Sequence, residues 1–74
     1  MKPLQAKRWA IAYDQGRQHR GIYVGQWLTR SDAVREHTAH YTTDRSEEGI
    51  KREWARKRRC GDRAIKVLIT EITE

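Results

Sequence analysis

The residues best suited to chemistry in this chain are its cations. Lys51, Arg52, Arg56, Lys57, Arg58, Arg59 and Arg63 crowd one short stretch, opposed there only by Glu53 and Asp62. Arginines at this density can contact several phosphates and release counterions, the usual source of sequence-independent affinity for nucleic acid. Part of the cluster has a plainer use. Cations in a last helical turn favour the negative end of the dipole, and Glu47–Lys51, Glu48–Arg52 and Glu53–Lys57 are i,i+4 pairs in the favourable order. Those effects account for Lys51, Arg52 and Lys57 but leave Arg56, Arg58 and Arg59 unexplained. The candidate phosphate contacts are Arg52, Arg56, Arg58, Arg59 and Arg63. Arg17 and Arg20, on a polar tip between Gly16 and Gly21, join them if that tip lies nearby.

Other chemistry is less well supplied. His37 and His40 are i,i+3 on one helix, and Cys60 or His19 could join them, but structural zinc sites use paired short Cys and His spacings. No metal and no cofactor is expected; His37 reads as a half-buried face residue and His40 as a solvent-side one. Asp14, Asp32, Asp44, Glu36, Ser31 and Ser46 are explained by turns and caps. No glycine-rich phosphate loop, nucleophile motif or carboxylate pair stands out, so no catalytic residue is assigned and an enzyme is not expected. Among the aromatics, Trp9, Tyr13, Tyr23, Trp27 and Trp54 could stack on unpaired bases. The chain has no phenylalanine, so Trp9 and Trp54 are assigned to the core. Tyr23 and Trp27 oppose Ile22 and Val24 on their strand, and are the candidate exposed contacts.

The elements that must position these groups follow from periodicity. Residues 7–14 alternate, with Trp9, Ile11 and Tyr13 on one face and Arg8, Ala10, Ala12 and Asp14 on the other. Residues 21–28 form a second strand, interrupted by Gly25 at a bulge or a close approach, and the two make a hairpin. Thr29 caps a first helix with Asp32 as its box partner, and Leu28 with Ala33 is placed for a hydrophobic staple. Thr42 and Thr43 end it. Asp44 with Glu47, or Ser46 in competition, starts a second helix whose stripe is Ile50 and Trp54; Gly49 is a weak spot worth about 1 kcal/mol against alanine. Gly61 ends that helix as a left-handed cap. From Arg63 onward the β-branched Ile65, Val67 and Ile69 share one strand face, and Trp54 is expected to pack on them. The sum is an α+β domain of order β-β-α-α-β, a three-stranded sheet with two helices on one face. The third strand can pair antiparallel with the second or parallel with the first, and the first strand is favoured for the centre.

The totals bound the rest. Seventy-four residues make a single domain, 1–74, with a loose start at 1–6. Only about 60% of the unfolded surface can be buried at this size, so the core is marginal. A single cysteine excludes an intramolecular disulfide and fits a reducing, cytoplasmic setting. No apolar run is long enough for a membrane span or a signal-peptide core. A net charge of +6 favours an anionic partner.

The blocks Trp9-Ala10-Ile11, Thr29-Arg30-Ser31-Asp32-Ala33-Val34, Trp54 and Gly61-Asp62-Arg63-Ala64-Ile65-Lys66-Val67 resemble small uncharacterised proteins encoded by bacteriophages and prophages. The resemblance implies a bacterial cytosol and an accessory role in infection, and brings no active site with it. The leading expectation is a small basic module that binds nucleic acid, DNA or RNA, by phosphate contact. The alternatives are a module docking on an acidic host protein, or a homodimer burying Tyr23, Trp27 or Leu68 across a second sheet face, so the state is monomer or homodimer.

Overall fold

The hairpin, the helix pair and the last strand all form. In the computed structural model, which describes residues 2–16 and 18–72, the order is β1 (Gln5–Asp14), β2 (Arg20–Trp27), α1 (Arg30–Ala39), α2 (Glu47–Arg59) and β3 (Arg63–Thr70). The strands make one sheet in the order β2-β1-β3. β1 is central as expected, but β3 runs antiparallel to it, from Ala12 opposite Arg63 to Gln5 opposite Thr70. β3 is thus parallel to its far neighbour β2. The helix pair does not return the chain to the end of β2; it carries it the length of the sheet, to the Asp14 end of β1. Parallel strands need such a long crossover.

Local chemistry sets the element ends. The Thr29 hydroxyl accepts from the Asp32 amide at 3.1 Å and caps α1. Leu28 is 68% exposed, so the staple does not form. At α2 the competition falls to Ser46, whose Oγ accepts from the Gly49 amide at 3.2 Å. Asp44 supports that cap, its Oδ1 accepting from the Ser46 amide at 3.1 Å and hydroxyl at 2.6 Å. Gly61 follows α2 with φ +104°, as a left-handed cap requires. In the hairpin the register shifts between Trp9, opposite Trp27, and Ala10, opposite Val24. Gly25 and Gln26 make the bulge, and the two-residue slip keeps Trp27 on the same face as Trp9.

Pleat and register decide which face the helices cover. Ile11, Ala33 and Trp54 form the core, with Trp9, Trp27, Val34 and Ala64 packed against them. The covered face therefore carries the odd residues of β1 and β2 and the even residues of β3. This corrects two expectations. Trp54 does not pack on Ile65, Val67 and Ile69, which project from the opposite face; only the small Ala64 leaves room beneath the Trp54 indole. Tyr23 and Trp27 do not face away from the helices either. Trp27 packs on the core and donates its Nε1–H to Glu36 of α1, whereas Ile22 and Val24 lie on the uncovered side.

Candidate nucleic-acid interface

The cations divide among three surfaces instead of forming one. By helical phase, Arg52, Arg56 and Arg59 fall on one outer flank of α2, and Lys51 and Arg58 on another. Two of the outer arginines already have partners. Arg56 is held by Glu53, its Nε donating to both carboxylate oxygens at 3.1 Å, and Arg52 lies 3.7 Å from Asp44. The hydrogen bonds from Arg56 hold the Glu53 carboxyl below its ordinary range, and those from Ser46 do the same for Asp44. None of the i,i+4 pairs expected from the sequence is among the ion pairs of the described residues. The cap drew Asp44 towards Arg52, and Glu53 meets Arg56 at i,i+3 instead of Lys57.

Arg63 leaves the helix cluster altogether. As the first residue of β3, opposite Ala12, it projects on the uncovered sheet face. There it shares a shallow groove with Arg20, whose Nε lies 3.2 Å from Asp14. Arg17 lies outside the described residues. Arg58, Arg59 and Arg63 are exposed and have no carboxylate within ion-pairing distance among the described residues. Tyr23 is 43% exposed, and its hydroxyl is pushed to higher pKa chiefly by the neighbouring Tyr41 hydroxyl.

Sequence reasoning missed a positively lined groove between the helices. A groove of about 440 Å³ runs between α1 and α2, lined by Arg30, Arg35, Arg45 and Lys51 around a floor of Val34 and Ile50. All four cations are exposed. None has a carboxylate within ion-pairing distance among the described residues, and Glu47 is the single acidic residue lining the groove. These arginines are scattered along the chain, so a search for dense charge passed over them. The signal was thin, since Arg30 and Arg35 in α1 are matched in number by Asp32 and Glu36, and Arg45 stands alone just ahead of the Ser46 cap.

A second cluster sits where both helices end. His37 and Asp62 are buried, with Nε2 and Oδ2 3.9 Å apart, and the Lys57 ammonium lies 3.9 Å from the same oxygen. Lys57 turns inward and rests 3.3 Å from the centroid of the Tyr41 ring, a desolvated cation–π contact. Tyr13, Tyr23, His37 and Tyr41 line up as a row of mutually tilted rings, with successive centroids 4.9, 5.0 and 5.2 Å apart. Burial, then the Lys57 charge, lowers the His37 pKa against the opposing pull of Asp62. His37 is thus more buried than the half-buried position expected, while His40 is exposed as expected. This knot ties α1, α2 and the start of β3 together, and positions the helices whose outer surfaces carry the free cations.

The chain matches no protein-family model, no characterised protein and no solved structure. Its functional reading therefore rests on these surfaces.

Proposed function

We propose that this chain is a small nucleic-acid-binding module that grips phosphates along the cleft between its two helices. The observation that carries the reading is the groove of Arg30, Arg35, Arg45 and Lys51, four exposed cations facing one carboxylate. Cations already paired to carboxylates gain little from a phosphate, because they exchange one anion for another. Unpaired ones gain a charge-assisted hydrogen bond and release a counterion. Arginine also suits the task, since its planar fork matches phosphate oxygens bidentately. Arg58, from its place on the Lys51 flank, extends the surface towards the C-terminal end of α2, while Arg59 lies unpaired on the Arg52 flank among the described residues. Arg52 and Arg56 contribute less, being partnered by Asp44 and Glu53.

Affinity of this kind is electrostatic and weakly sequence-specific. The floor of the cleft is aliphatic, Val34 and Ile50, and offers no aromatic platform for a base. The net charge of +6 steers any polyanion to the molecule. Capture from a cell lysate with and without nuclease tests the reading. Nucleic acid should co-purify and be lost on nuclease treatment. Retention of one acidic protein through that treatment, with no nucleic acid bound beforehand, would instead establish the protein-docking alternative.

A further inference from the structure

The helices cover one face of the sheet and leave the other bare. We infer that this bare face is a self-association surface, and that the chain forms a two-fold dimer by packing it against a second copy. The middle of the face is apolar, with Ile22 54%, Val24 56% and Ile69 41% exposed and Ile65 and Val67 half-buried beside them, while the exposed Arg20 and Arg63 bound it at the Asp14 end. Along the central strand the same face presents Ala10, sunk between Val24 and Ile65, and Ala12, between Ile22 and Arg63.

Area argues for an occupant of this size. A folded monomer of 8.8 kDa is expected to expose about 4,800 Å². This chain exposes 6218 Å², an excess of about 1,400 Å², where a stable interface takes about 800 Å² from each partner. Leu4 and Ile72 at the strand ends account for part of the excess, being 76% and 90% exposed. Leu28, Tyr41 and Leu68 add to it from elsewhere, and Ile22, Val24 and Ile69 supply the part that lies together on the bare face. The core points the same way. Its buried apolar side chains among the described residues are Ile11, Ile50 and Trp54 with the small Ala10, Ala12 and Ala33. So small a domain, with one cysteine and hence no internal disulfide, gains most from oligomerisation.

The charge pattern along β1 suits a second copy as the occupant. On this face β1 reads Arg8, Ala10, Ala12, Asp14, a cation and an anion at equal distance on either side of Ile11. A two-fold axis crossing β1 at Ile11 brings Arg8 of one copy to Asp14 of the other, twice, where it joins the Arg20 that already lies 3.2 Å from Asp14. The apolar centres then meet sheet to sheet at a spacing of about 10 Å, and the helix-pair grooves remain on the two outer surfaces. The inference is therefore independent of the proposed nucleic-acid function.

Sedimentation equilibrium of the nuclease-treated full chain in high salt tests it. The unmodified chain should sediment at twice its mass and Val24→Glu at the single-chain mass, while Leu28→Glu, an exposed apolar residue off the face, should remain dimeric. At low salt, where the charges are unscreened, Asp14→Arg should weaken association, and Arg8→Asp added to it should restore it. A parent at single-chain mass at 100 µM or so, or an unchanged dimer in Val24→Glu, would overturn the inference. If Val24→Glu does not fold, the amide shifts of the parent decide on dilution. Changes centred on Ile22, Val24, Ile65 and Val67 support the dimer, and changes confined to α1 and α2 refute it.

Discussion

Gly61 lies directly against the carbonyl of Asp14: a Cβ built on it would come within 2.4 Å of that oxygen. The contact joins the end of α2 to the end of β1, and fixes where β3 must start. Two demands meet at this residue, a φ of +104° that side chains resist and a backbone wall that cannot retreat. Gly61→Val should therefore destabilise severely, by about 3 kcal/mol or more. A thermal melt within a few degrees of the parent would contradict this.

Gly49 should defy helix propensity. In an open helix Gly→Ala gains about 1 kcal/mol. Here a Cβ would stand 2.2 Å from the Asp44 carbonyl oxygen and 2.4 Å from its Cγ. The Asp44 loop that braces the Ser46 cap would be pushed away, so Gly49→Ala should lower the denaturation midpoint. A rise would show that the loop yields without cost.

Trp54→Ala should cost about 3–5 kcal/mol, most or all of the stability of so small a domain. The side chain is 8% exposed and packs with Ile11 and Ala33. Ile65→Ala, on the bare face of the sheet, should cost a single folded chain markedly less. Equal losses measured in dilute denaturant titrations would place the core on the wrong side of the sheet.

How far the sequence disclosed this structure can be read from those residues. The Trp9, Ile11, Tyr13 alternation identified both the central strand and its core face, because large apolar residues and small or charged ones separate cleanly there. Gly61 was legible as a cap because the cationic helix end and the strand left it no other role. The faces of β3 were not legible. β-branching at Ile65, Val67 and Ile69 declares a strand but not which side is covered, and the inward residue proved to be Ala64, chosen for smallness. Strand direction was hidden for a similar reason, since the travel of the helix pair depends on the loop between them. The charge census found density in α2 but not availability. Glu53 and Asp44 occupy two of the counted arginines, and the freer Arg30, Arg35 and Arg45 come together only in three dimensions.

Stability should fall with mild acid because of His37. Burial, and then Lys57, depress its pKa below the ordinary 6.5. The folded state thus takes up the proton less readily than the unfolded chain. Stability is complete above about pH 6.5 and is lost as pH falls through that value towards the lower folded pKa. The melting temperature should be lower at pH 5.5 than at pH 7.5, and His37→Gln should flatten the difference. The lowered carboxyls of Asp44 and Glu53 act at more acid pH and do not confuse this window. An equal pH dependence in parent and His37→Gln would remove the assignment.

The central claim, phosphate contact in the cleft between α1 and α2, is tested most directly by the salt dependence of binding to a short labelled duplex DNA. With about four phosphates engaged, a plot of log affinity against log salt should slope at roughly −3 to −4. Replacing Arg30, Arg35 and Arg45 together by glutamine should flatten it by about 2 to 3. These are exposed positions, so the far-ultraviolet spectrum and melt should stay close to the parent's. Replacing Arg52 and Arg56, already held by Asp44 and Glu53, should change the slope less. A slope unaltered by loss of the three cleft arginines, in a variant shown to be folded, would contradict the account.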